Sequence, residues 1–199
     1  MRTIETKVYK FDELSDLAKE TARDWFRDSI EVDEWSEDVI DDAVTIGGLF
    51  GLGIGTRTVK LMGGSTRQEP AIYFDLGRAH SIEFTWNYSY IAGSVNAVKE
   101  YAPVDTDLHQ IVEGLQSIQK KNFYQIQSSK GRYGVDVTRL DDKSPTNDAE
   151  SEVEYWLQQF GEWILSNLDE NYEWYRSDNN VDENIRINEY EFTENGEIM

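Results

Sequence analysis

Ser-Ile-Glu-Phe-Thr-Trp-Asn-Tyr-Ser-Tyr, residues 81–90, decides the fold. Ile82, Phe84, Trp86, Tyr88 and Tyr90 fall on one side and Glu83, Thr85, Asn87 and Ser89 on the other. Period two with aromatics on one face predicts a half-buried antiparallel strand. Gly77-Arg78-Ala79-His80 reads as the hairpin turn that precedes it. Residues 56–62 and 71–76 read as further strands. A second hairpin, 123–127 with 133–140, is expected around Ser128-Ser129-Lys130-Gly131-Arg132.

Outward from this β-rich middle (56–140) the periodicity changes to three and four. Residues 3–11 alternate as a strand, and Asp12 or Ser15 can cap the helix that follows. Leu14, Leu17, Ala18, Ala22, Trp25 and Phe26 give that helix its apolar face. A second helix, 32–49, would bury Val32, Trp35, Val39, Ala43 and Ile46. A third runs from Asp105 to Lys121. A long one, 148–175, carries Ala149, Val153, Trp156, Phe160, Trp163, Ile164, Leu168 and Tyr172 on one stripe. A short helix near 179–186 and a strand at 188–193 close the chain. The expectation is a single α+β domain over 1–199, with acidic helical ends (12–49 and 148–187). Helices should pack mainly on one face of an antiparallel sheet, and the first and last strands should pair.

Composition limits the chemistry. The chain has 199 residues and no cysteine, which excludes disulfides, zinc–thiolate sites and thiol nucleophiles. Aromatics at 13% argue for a packed core. No apolar run approaches the ~18–20 residues that span a bilayer, and the first residues lack a signal-peptide h-region, so the cytoplasm is the expected compartment. The two histidines, His80 and His109, have no zinc-binding spacing. Glycines 47–55 end a helix and precede a strand, the reverse of a phosphate-binding loop. No catalytic residue, metal site or cofactor is expected, and the chain reads as a non-enzyme, with a metal-dependent enzyme as the third alternative behind two kinds of binding protein.

Charge is the stronger signal. Thirty-nine Asp and Glu oppose nineteen Lys and Arg, a net of −20. Residues 1–50 carry fourteen acids against six bases and residues 148–199 fifteen against two, whereas 51–140 carry eight against ten. Within the second helix Glu31, Glu34, Asp38 and Asp41 form a stripe that Glu37 and Asp42 widen. On the long helix Glu150 and Glu154 are an i,i+4 pair, with Glu162 farther on. Like charges so spaced cost a helix a few tenths of a kcal/mol each, about 0.2–0.5. They serve either as a solvated face or as stand-ins for phosphates on a basic partner. Direct nucleic-acid or anionic-membrane binding is disfavoured by the field.

Three segments, KVYKFDELSDLAKETARDWFRD (7–28), APVDTDLHQIVEGLQ (102–116) and NEYEFTENG (188–196), resemble a family of small acidic proteins of phages and prophages. Some of these are labelled antitoxins of toxin–antitoxin systems. Residues 63–80 depart from that pattern. The resemblance implies a stoichiometric inhibitor of a host nucleic-acid-binding defence system, of anti-CRISPR or anti-restriction type, or an antitoxin-like partner of a co-encoded toxin. It supplies no catalytic residues. A basic protein partner and a binding surface of Glu31, Glu34, Glu37, Asp38, Asp41, Asp42, Glu150, Glu154 and Glu162 are the resulting expectations.

Overall fold

A computed structural model describes residues 7–131 and 134–199, with Asp33 described by its backbone alone. The chain is α+β and its strands are antiparallel. The residues group into two compact units, 1–37 with 169–199, and 38–168.

The first unit joins the two ends of the chain. Strand β1 (Tyr9–Lys10) pairs antiparallel with β10 (Glu191–Phe192), Tyr9 opposite Phe192. Both strands are shorter than the sequence suggests. Phe11–Glu13 turns into a 3-10 helix, and Glu189, at φ 54°, enters the last strand through a left-handed residue. Residues 3–6 of the expected first strand lie outside the described residues. Helix α1 (Asp16–Ser29) begins where Ser15 Oγ accepts from the Ala18 amide at 3.3 Å. Ala18 and Ala22 are buried, and Trp25 and Phe26 pack beside them against the cluster of Phe11, Leu14, Val181, Ile185 and Phe192. Leu17 was expected on this face but is 83% exposed. It sits one residue before Ala18, a rotation of roughly 100° away from the buried stripe. Helix α6 (Asp178–Ile187) supplies Val181 and Ile185.

Ion pairs join α1 to α6. Arg23 grips Asp182 with two bonds, 2.7 and 3.0 Å, and Arg27 reaches Glu20 and Asp24 at 2.9 Å and also Asp178. Arg27 Nε donates to the Arg176 carbonyl at 3.2 Å, and Arg176 Nη1 returns a bond to the Arg27 carbonyl at 2.9 Å.

The second unit is built on a four-stranded sheet in the order β2 (Leu52–Ile54), β7 (Trp86–Ser89), β8 (Ile126–Gly131), β9 (Gly134–Arg139). Leu52, Trp86, Tyr88, Ile126 and Ser128 are buried on one face, as the alternation of residues 81–90 requires. Burial pushes the Tyr88 phenol up to about 12. Two hairpins extend the strands: β3 (Thr56–Lys60) with β4 (Thr66–Pro70), and β5 (Ile72–Asp75) with β6 (Ser81–Phe84). The expected strand 81–90 is therefore two strands with different partners. The exchange happens at one place, where Gly55 N donates to Thr85 O at 2.8 Å and Ala71 N to Gly55 O at 2.7 Å. A Cβ on Gly55 would stand 2.1 Å from Thr85 Oγ1, so only glycine permits this approach. The Ser128–Lys130 segment, expected as a turn, lies within β8; Arg132 and Tyr133 are outside the described residues.

Helices α3 (Ser94–Tyr101), α4 (Thr106–Lys121) and most of α5 (Ala149–Arg176) complete this unit, with the later turns of α2 (Val32–Leu49). Asp105 does two jobs: its Oδ1 caps α4 through the Leu108 amide at 2.9 Å, and its Oδ2 accepts from Trp163 Nε1 at 2.8 Å. Gly114 of α4 lies flat against the Trp156 ring of α5, and Gly161 against Phe84. Buried Gln119 pairs with both backbone groups of Ile126, 2.9 and 3.1 Å, so a side chain binds β8 as a strand would. Phe123 and Tyr124, expected in a strand, instead follow α4 in the left-handed region, at φ 57° and 61°.

Phe192 contributes about as much to the first unit as any one residue can. It is fully buried and makes edge contacts with Phe11 (6.5 Å) and Trp25 (5.9 Å). Phe192→Ala should destabilise that unit by about 3–5 kcal/mol. Urea titration followed by tryptophan fluorescence checks this, and an unchanged midpoint would refute the packing role.

Candidate functional site

Helix α2 forms because its apolar residues recur on one side: Trp35, Ala43 and Ile46 are buried, and Val39 is half-buried. Val32, expected among them, is 55% exposed, since it stands in the first turn of the helix. In the first unit Trp35 packs edge-on to Tyr172 at 5.1 Å, and its carbonyl accepts from Asn171 Nδ2. These contacts fix how the start of the helix faces water.

The acids fall on the other side. Glu31, Glu34, Glu37, Asp38 and Asp41 are exposed, and Asp42 is half-buried. Among the described residues none of these six is in an ion pair. The row spans roughly 17 Å at 1.5 Å per residue, about one charge per 3 Å. One strand of duplex DNA carries a charge per ~3.4 Å. A bare row of carboxylates at this spacing can act in electrostatic recognition.

Asp42 differs from the rest. It accepts from the Tyr101 hydroxyl, and that bond together with the adjacent negative charge holds the Tyr101 phenol above its ordinary value.

The acids of α5 do not make an equivalent row. Glu150 and Glu154 are exposed on successive turns, but Glu154 lies 4.0 Å from Lys130 of β8. Glu162 comes eight residues later, roughly 80° around the helix. Nearby, Lys121 binds Glu152 at 2.9 Å and Asp148 at 3.1 Å, and the Thr146 hydroxyl with Lys121 brings Asp148 down to about 2. Of the nine expected partner-binding residues, the structure therefore aligns the α2 set and leaves the α5 set dispersed. His80 is in the β5–β6 turn at φ 41°, and His109 Nε2 is 2.8 Å from the Ala102 carbonyl. Among the described residues no three His, Asp or Glu come together as a metal site, and no helix is long and apolar enough to cross a membrane.

A second feature escapes a reading for charge. The open face of the four-stranded sheet forms a cleft of about 290 Å³ lined by small polar side chains. The clue in the sequence is the presence of Asn87 and Asp136 in strands, where both residue types are disfavoured.

Residues 35–178 match the family described as Domain of unknown function (DUF8835), and the chain belongs to that family. No curated protein and no solved structure matches the chain.

The Tyr101–Asp42 contact can be tested by titration. Tyr101 should ionise above the ordinary phenol value of ~10, and Asp42→Asn should bring it back toward that value. Its contribution to stability is present below the unfolded phenol value and is lost as pH rises through the folded one. Ultraviolet titration of wild type, Asp42→Asn and Tyr101→Phe reads this; identical curves for the first two would exclude the contact.

Proposed function

We propose that the protein acts by stoichiometric binding to a basic, nucleic-acid-binding protein, with the acids of α2 standing in for phosphate backbone. The observation that carries this reading is the unpaired row Glu31, Glu34, Glu37, Asp38 and Asp41, which starts one residue before α2 and runs along it at about the charge spacing of a DNA strand. Its physical alternative is a face kept for solubility. Solubility needs only net charge, which could be spread over the surface without like charges at i,i+3 and i,i+4. Elsewhere the chain does pair its acids: Glu20, Asp182, Glu113 and Glu152 all meet Arg or Lys. The α2 row is left bare where compensation was available by substitution.

At physiological salt, charges more than about 8 Å apart are largely screened, so only a local, ordered row can compete for a basic groove. The resemblance to phage proteins makes a host defence complex in the bacterial cytoplasm the natural partner, and inhibition follows from occupying its nucleic-acid channel. No catalytic step is required, and the protein acts as a binder, not an enzyme.

The test reverses charge where the fold does not depend on it. Glu31→Lys, Glu34→Lys, Asp38→Lys and Asp41→Lys are combined, and bait columns of variant and wild type are compared on bacterial lysate. A specific partner should be retained by wild type, released steeply between about 50 and 200 mM salt, displaced by duplex DNA, and missed by the variant. Asp38→Asn or Asp41→Asn, beyond the first turn of the helix, should leave stability unchanged or raise it by about 0.2–0.5 kcal/mol. Equal capture by the fully reversed variant would overturn the reading.

A further inference from the structure

The open face of the four-stranded sheet carries two cross-strand rows. Asn87 of β7 lies opposite Ser129 of β8, and Ser129 opposite Asp136 of β9. One step along, Ser89 lies opposite Gln127 and Gln127 opposite Thr138. These six line the cleft of about 290 Å³. Among the described residues, none of their side chains is bonded to another protein group. The cleft therefore presents an array of unused amide, hydroxyl and carboxylate groups at fixed cross-strand spacing.

Stability does not explain this choice. The exposed face of a sheet is best served by Thr, Val, Tyr and other branched or aromatic residues, whereas Asn and Asp are disfavoured in strands; Asn87 lies in central strand β7, and Asp136 in edge strand β9. Departures from local preference without a structural gain are expected at functional sites.

Gly53 points the same way independently. It is opposite Asn87 on edge strand β2, so it extends the first row. A Cβ there would meet only the Asn87 carbonyl, at an ordinary 3.7 Å, and its φ is not in the left-handed region. Nothing in the fold requires glycine at this position, and glycine weakens a strand. Glycine in a strand often marks a place where a ligand comes close. Any larger residue would stand beside the cleft and crowd its Asn87 end.

The chemistry of the lining selects the ligand. Asp136 is its one charged residue and no base is present, so an anion finds no partner, least of all in the field of a chain with net charge −20. A planar base would need an aromatic platform, and the only aromatic residue of the lining, Tyr88, is buried on the opposite face. A neutral molecule with several hydroxyls on adjacent carbons matches the array: the Asp136 carboxylate and the side-chain carbonyls of Asn87 and Gln127 accept, and their amides donate. The volume lies just below the range for small-molecule sites, about 300–1,000 Å³, so the ligand must be small. We infer that this cleft binds a neutral carbohydrate of mono- or disaccharide size, independently of the acidic row on α2.

Amide NMR of the isotope-labelled full chain tests this, using a panel of hexoses, pentoses, N-acetylhexosamines and their disaccharides at millimolar concentration. At least one sugar should give saturable shifts centred on residues 87–89, 127–129 and 136–138. Asp136→Ala should weaken that binding at least about tenfold, as the loss of hydrogen bonds to a charged group implies. Gly53→Val should abolish it while the melting temperature is kept or raised, which separates a blocked site from a damaged fold. The inference is overturned if no sugar gives saturable shifts, if the shifts map elsewhere, or if binding is indifferent to both variants.

Discussion

Arg23 and Arg27 solve the electrostatic problem on which the first unit depends. Residues 1–37 and 169–199 contain twenty-one acids and eight bases, a net of −13 in 68 residues. Packing α1 against α6 would press Glu20, Asp24, Asp178 and Asp182 together. The two guanidiniums lie among these carboxylates, both mostly buried, and the exchange of carbonyl bonds between Arg27 and Arg176 closes the arrangement. Exposed ion pairs are each worth little, about 0–1 kcal/mol. Partly buried, bidentate pairs such as Arg23–Asp182 are stronger and have direction. Asp182 accordingly holds the Arg23 guanidinium well above its ordinary value. Compensation of this kind is what makes the bare row on α2 informative: the chain neutralises acids where packing demands it.

Most helices were legible because their cause is local. Ser15, one of two cap candidates, does cap α1, whose stripe buries Ala18 and Ala22, half-buries Trp25 and Phe26 and leaves Leu17 exposed, while the stripe of α4 is buried throughout. The terminal strands also paired as their alternation suggested. What escaped has causes remote in sequence. Strand β4, Thr-Arg-Gln-Glu-Pro, is polar on both faces and exists through its ladder with β3, so no alternation announces it. Strand β2 hides among glycines that look like a turn. Helix α3 starts at Gly93, a left-handed residue without a capping side chain, and buries only Ser94 and Val98. The split of residues 81–90 depends on Gly55 meeting Thr85 across the sheet.

The same division holds for the surfaces. Helical spacing revealed the α2 row, because one helix brings those residues together. On α5 the surroundings of the acids come from remote elements: Lys130 of β8 lies beside Glu154, and Lys121 of α4 binds the neighbouring Glu152. The polar cleft could not be assembled from sequence at all. Its rows exist only once the register of β7, β8 and β9 is known, although the disfavoured Asn87 and Asp136 hinted that something other than stability chose them.

The partner exchange at Gly55 also divides the second unit by how its backbone opens. Strands β7 and β8 are paired on both sides and covered by buried aromatics, so their amides exchange with solvent only when the sheet comes apart. Among the described residues the β3–β4 ladder forms a two-stranded sheet of its own, and most of its residues are exposed, with Met62 fully so near the turn. Its protons can exchange by local fraying that leaves the sheet intact. Deuterium uptake would then occur in two separate time regimes within a single run of strands, with the boundary at one glycine.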